Sequence, residues 1–165
     1  MEEVWGNLLN VLNKIVSVYQ TILALSEEKR KVLVAVKPQE LEQITKQEET
    51  LILQAGKLEE LRRKLVSEIM SIHGSSITEV SLEELKKIAK PEVVLQLEAF
   101  NTQMKQIMEK IVPLNEVNTK LTQQALNFVN YNINILSQTA VGPTYASKGE
   151  SEKQAPKRTM FDAKV

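Results

Sequence analysis

The chain has 165 residues, enough for one domain with a real core, and it is 42% hydrophobic but only 4% aromatic, with five glycines and five prolines. That balance, rich in Leu, Ile, Glu, Lys and Gln, favours helices over sheet. Basic and acidic residues number 21 each, so the net charge is zero, without the positive excess that nucleic-acid binders use.

The chain opens on Met1-Glu2-Glu3-Val4-Trp5, acidic where a secretory signal is basic, and no apolar run approaches the ~20 residues that span a bilayer. No polybasic segment stands beside an apolar anchor either, so a cytoplasmic protein without membrane insertion is expected. The absence of cysteine excludes disulfides and thiolate metal sites. The first helix is expected over 3–36. Val4, Leu8, Val11, Ile15, Val18, Ile22 and Leu25 recur at alternating steps of four and three, which keeps them on one face, and Trp5, Leu12 and Tyr19 widen it. Pro38 ends that helix and is well placed to open the next, over 38–73. Leu41, Ile44, Leu51, Ala55, Leu58, Leu65, Ile69 and Ile72 form the second stripe, with Glu48 and Arg62 at the remaining heptad positions. Two charged residues in one seam suggest a bundle edge or a partly wet seam. Gly74 is a suitable stop.

A connector follows in which Ser81-Leu82-Glu83-Glu84 matches a capping box, predicting a short helix over 82–89 that stops before Pro91. The longest helix is expected over 92–138. Val93, Leu97, Phe100, Met104, Ile107, Ile111, Leu114, Asn118, Leu121, Ala125, Phe128, Asn132 and Ile135 keep one unbroken alternation straight through Pro113. A proline inside a helix costs ~3 kcal/mol and usually bends it, yet the phase of the stripe survives. The spacing therefore predicts one helix kinked near Pro113, roughly 70 Å long at the helical rise per residue. Such a helix cannot fold back on itself, so the other two must cover its seam. The expected fold is all-α: an elongated antiparallel three-helix bundle of coiled-coil type over 1–138, with a short connector helix. A C-terminal tail, 139–165, completes it. Gly142-Pro143 ends the last helix, and the polar run from Lys148 to Gln154 marks the tail as flexible. Its apolar end, Met160 to Val165, is a candidate recognition motif.

Catalytic residue types are scarce. His73 is the single histidine and sits at a helix end, where it more often meets free carbonyls than acts as a ligand. Asp162 is the single aspartate and lies in the tail. Bundle di-iron sites need two Glu-x-x-His motifs, which one histidine cannot supply. Phosphate-binding loops, zinc-protease motifs and nucleophile elbows are missing from the sequence. A binding protein without cofactor or metal is expected, not an enzyme. From Leu114 to Gln138 the only charges are Glu116 and Lys120, and Leu126, Val129, Ile133 and Leu136 form a second stripe roughly 100° from the first. That segment reads either as a broad core face under a covering helix or as a groove for an amphipathic partner helix.

The run Leu114-Asn115-x-x-Asn118-x-x-Leu121, followed by Leu126-x-Phe128-Val129, resembles the third helix of FlgN-type flagellar export chaperones. Tyr145 and Gly149, then Arg158, Phe161-Asp162 and Val165, resemble that family's C-terminal ending, and the helical layout is similar along essentially the whole chain. The resemblance implies a bacterial cytoplasmic chaperone of flagellar type III secretion, which binds hook–filament junction proteins before export and delivers them to the export apparatus without ATP hydrolysis. It also implies client binding in the C-terminal part of the chain. The residues expected to carry it are Leu126, Phe128, Val129, Ile133 and Leu136, with Tyr145, Arg158, Phe161 and Val165 of the tail. Self-association is left open, and the rival reading is a structural coiled-coil adaptor or scaffold.

Overall fold

The computed structural model describes residues 2–74 and 80–140, the last three by their backbone alone. Four helices follow one another: α1 (Glu2–Val34), α2 (Pro38–Ile72), α3 (Leu82–Ile88) and α4 (Pro91–Ala140). No strand occurs among the described residues, and the fold is an all-α helical bundle. The chain divides into two compact units, Met1–Leu121 and Thr122–Val165. The first holds α1, α2, α3 and the proximal part of α4; what is described of the second is the distal part of α4.

Within the first unit α2 runs antiparallel to α1. Lys29 of α1 pairs with Glu48 of α2 at 2.5 Å, and Val32 shares a core cluster with Ile44, whereas Leu8 shares one with Ile69. α4 runs parallel to α1: Lys90 pairs with Glu2, Val16 packs with Ile107 and Ile111, and Asn118 reaches Ser26. Leu8, Ile69 and Leu97 lie almost wholly out of water at the middle of the largest cluster, and each contributes about 2 kcal/mol through burial. α3 closes that end of the core with Leu85, and Lys86 bonds to Glu98 of α4 at 3.0 Å.

The α2 stripe needs two corrections. Ile72 is exposed rather than in the seam, while Val66 and Met70 are buried beside Leu65 and Ile69. Here α2 packs against α1 on one side and against α3 and α4 on another, so adjacent pairs of residues are covered rather than a narrow seam. Glu48 and Arg62, the two charged members, are both half-buried and both paired, Glu48 across to Lys29 and Arg62 back to Glu59 at 2.6 Å. α1 is long and apolar enough by length and composition to cross a membrane, against the reading of its sequence, but its apolar face is the one the core takes up.

The helix ends follow local chemistry. The Nδ1 of His73 donates to the Ile69 carbonyl at 2.8 Å, and Gly74 follows with φ of +73°. At α3 both halves of the capping box form, the Ser81 amide donating to the Glu84 carboxylate at 2.7 Å and the Glu84 amide to the Ser81 hydroxyl at 3.3 Å. Pro91 rather than Glu92 begins α4, because proline lacks only an amide hydrogen that the first turn does not use. α4 then passes Pro113 as one helix.

α1 stops at Val34, two residues short of the expected end. The Lys37 amide bonds back to the Val32 carbonyl and the Val36 amide to Leu33, the pair of bonds of a Schellman ending. That ending places Val36 at φ of +54°, the left-handed region, which costs a β-branched residue about 1–2 kcal/mol.

Two outcomes follow from these ends and pairs. Val36 is 77% exposed, so Val36→Gly gives up little burial and should raise stability by about 1 kcal/mol, read as a higher Tm; a lower Tm contradicts the strain. The Arg62 guanidinium holds the Glu59 carboxyl below the ordinary carboxylate range. The unfolded chain therefore takes up that proton first, and the pair's stabilisation is present at neutral pH and lost as pH falls through the carboxylate range. Glu59→Gln should lower the Tm at neutral pH and make its acid-side decline shallower in a pH series of melts.

Candidate functional site

The proximal part of α4 carries a polar clasp in its apolar seam. Asn118 occupies a seam position and is buried, and its Nδ2 donates to the Ser26 carbonyl of α1 at 2.9 Å. Ser26 is also buried, and its hydroxyl donates to the Asn115 side-chain oxygen at 3.5 Å. Both asparagines belong to the Leu114–Leu121 run singled out in the sequence. A buried asparagine in a helical seam defines register at some cost in stability, because only one alignment satisfies it. This part of the run therefore positions α4 against α1.

Beside the clasp lies an open groove of about 960 Å³ in the first unit, lined by Leu23, Val34 and Ala35 of α1 and by Pro113, Leu114 and Val117 of α4. Glu27, Arg30, Lys31, Glu109 and Lys110 form its polar walls. The sequence reading missed it, since Leu114 was assigned to the covered seam and Leu23, Val34, Ala35 and Val117 lie outside the stripes. The available signal was the apolar residues outside the repeats, Leu23, Val34, Ala35 and Val117.

The second unit is different in kind. Its part of α4 continues the same repeat, but the burial stops: Ile107 is 6% exposed, whereas Phe128, three heptads later at the same seam position, is 66% exposed. The expectation that the other helices cover the whole seam is therefore corrected. Once Asn118 is aligned with Ser26, α1 has eight residues left, while α4 has twenty-two after Asn118.

Leu126, Val129, Ile133 and Leu136 are exposed, at 52% and 67% for the two leucines, so the second stripe is not a broad core face under a covering helix. Tyr131 and Ile135 are exposed with them. Tyr131 was not among the expected partner-binding residues and Ile135 was assigned to the covered seam.

No charged residue occurs from Leu121 to Ala140. Several polar side chains there bond along their own helix: Gln123 to Asn127 at 3.0 Å, Asn132 to the Phe128 carbonyl at 2.9 Å, and Ser137 to the Asn134 carbonyl at 2.9 Å. A partner can cover this surface without desolvating an ion. Tyr145, Arg158, Phe161 and Val165 lie outside the described residues. Among the described residues no group of three or more His, Cys, Asp or Glu side chains could hold a metal ion.

A family model described as FlgN protein matches residues 1–153. A protein of Bacillus subtilis (strain 168), named uncharacterized protein YvyG, is 25% identical over 159 residues, covering 96% of this chain and 97% of its own. No solved structure matches.

The clasp is open to direct measurement. Asn118→Ala removes the bond to Ser26 and side-chain packing, and should destabilise the protein by about 1–2 kcal/mol in denaturant unfolding. Asn118→Leu replaces a polar seam residue with an apolar one and should be no less stable than Asn118→Ala. Equal loss in both variants would mean that the hydrogen bond, not side-chain volume, makes the site; a Leu variant less stable than the Ala variant contradicts the account.

Proposed function

The chain belongs to the FlgN family of flagellar export chaperones, and from that premise we propose that it holds hook–filament junction proteins before secretion on the uncharged face of distal α4. The observation that carries this is the cluster of exposed apolar side chains between Leu126 and Leu136, in a twenty-residue stretch without charge. Monomeric proteins rarely expose a contiguous apolar surface without using it, and depletion of charge is characteristic of interface centres.

The occupant that suits such a face is an amphipathic client terminus that folds as a helix on contact. Leu126, Phe128, Val129, Ile133 and Leu136 supply one apolar half of the joint and the client the other. Ordering the client offsets part of the gain from burial, so binding is moderate and release requires no chemical energy. That agrees with a non-catalytic chaperone whose client must leave for the export apparatus. Tyr145, Arg158, Phe161 and Val165 add a second set of partner contacts in the tail, the aromatics as anchors. The compartment of this activity is the cytoplasm, where clients wait for export.

Replacing Val129 and Ile133 together by glutamate places two charges in the middle of the face. The double variant should keep its far-ultraviolet circular dichroism and lose co-purification with co-expressed hook–filament junction protein by at least about tenfold, the equivalent of 1.4 kcal/mol. Undiminished capture by a folded variant would rule this face out as the client site.

A further inference from the structure

The distal face of α4 has a symmetry that an arbitrary client does not require. Leu126, Val129, Ile133 and Leu136 follow steps of three, four and three, the positions a, d, a and d of two heptads. Reversing the direction of the helix leaves that spacing unchanged. If two copies meet head to tail about an axis at Tyr131, Leu126 of each faces Leu136 of the other, and Val129 faces Ile133. Those are the a-against-d layers of an antiparallel coiled coil, and each joins two aliphatic side chains of similar size.

The flanking positions agree with this. Ala125 and Asn132 on one side of the stripe and Asn130 and Ser137 on the other are all uncharged. Flanking charges ordinarily decide which helices pair, and like charges keep identical helices apart. Here nothing repels a second copy. The adjoining stripe is less suited to the role, because it contains Ala125 and Asn132, the latter half-buried and bonded to its own helix.

We propose that, before a client arrives, two copies of this chain cover each other's distal α4 through Leu126, Val129, Ile133 and Leu136 in an antiparallel pair, and that the client displaces the second copy. The proposal rests on the client reading above for its second half only. An interface related by a two-fold axis closes on itself, so it shields the apolar stripe without propagating into filaments. Client and second copy compete for the same side chains, so client binding is a switch from dimer to one-to-one complex.

The test uses the full chain in sedimentation equilibrium at tens of micromolar. The proposal predicts the mass of a dimer for the wild type and of a monomer for Val129→Glu. Direction is read by cysteine pairing, which the cysteine-free sequence permits without background. A mixture of Leu126→Cys and Leu136→Cys proteins should form a disulfide-linked dimer several-fold faster on oxidation than either protein alone. A wild type that remains monomeric, a Val129→Glu variant that remains dimeric, or Leu126→Cys alone linking as fast as the mixture each overturns the pairing. A monomeric chain that nonetheless captures junction protein sinks the pairing and spares the client reading. A dimer with the predicted cross-link that captures no junction protein does the reverse.

Discussion

The bond from Asn118 to Ser26 decides where α1 stands along α4, and much of what the molecule exposes follows from that alignment. Apolar seams of this kind tolerate sliding by whole heptads, since leucine and isoleucine pack almost equally well at each step. A buried amide that finds its acceptor at one alignment only removes that freedom. α1 ends eight residues after Ser26, whereas α4 continues for twenty-two after Asn118. The repeat of α4 nevertheless continues, through Phe128 and Ile135, as though a further helix were expected. On the reading proposed above, an apolar repeat that outruns its intramolecular cover serves as a binding surface, and its spacing sets the register of the helix that takes it up.

The surface also accounts for the absence of charge in distal α4. In the proposed role the client must be released, and a face whose energy comes from area rather than from buried ions is easily reversed. Breaking a buried ion pair strands a charge, whereas separating two aliphatic stripes loses only their transfer energy. Gln123, Asn127, Asn132 and Ser137 make hydrogen bonds within their own helix, which lessens the cost of covering them. The first unit is built in the opposite manner, with ion pairs such as Lys29–Glu48 and Lys86–Glu98 tying helix to helix.

Much of this could be read from residue order. The alternation of fours and threes located the three long helices, the Ser81–Glu84 box located the short one, and Pro38 and Gly74 marked ends, because caps and periodicity are local properties. The clasp could not be read in the same way. Asn115 and Asn118 were visible as a family-like run, but their partner, Ser26, is 92 residues away from Asn118 and looks unremarkable beside Leu25. The Val36 turn was hidden for another reason: a β-branched residue is the last choice for a left-handed position, so nothing in its chemistry announced one. The extent of cover over α4 depended on the register of two helices, a tertiary quantity, and the sequence therefore left the distal stripe divided between core and groove. The exposure of Leu126, Phe128 and Leu136 resolves that division in favour of a surface.

Amide hydrogen exchange across residues 121–140, at a concentration low enough to hold the free chain as a monomer, tests the central claim most directly. Slow exchange should appear there when hook–filament junction protein is added, with the amides of Leu126 to Leu136 changing most. If those amides are already fully protected in the free monomer, or if protection appears instead along the groove between Leu23 and Val117, distal α4 is not where the client sits.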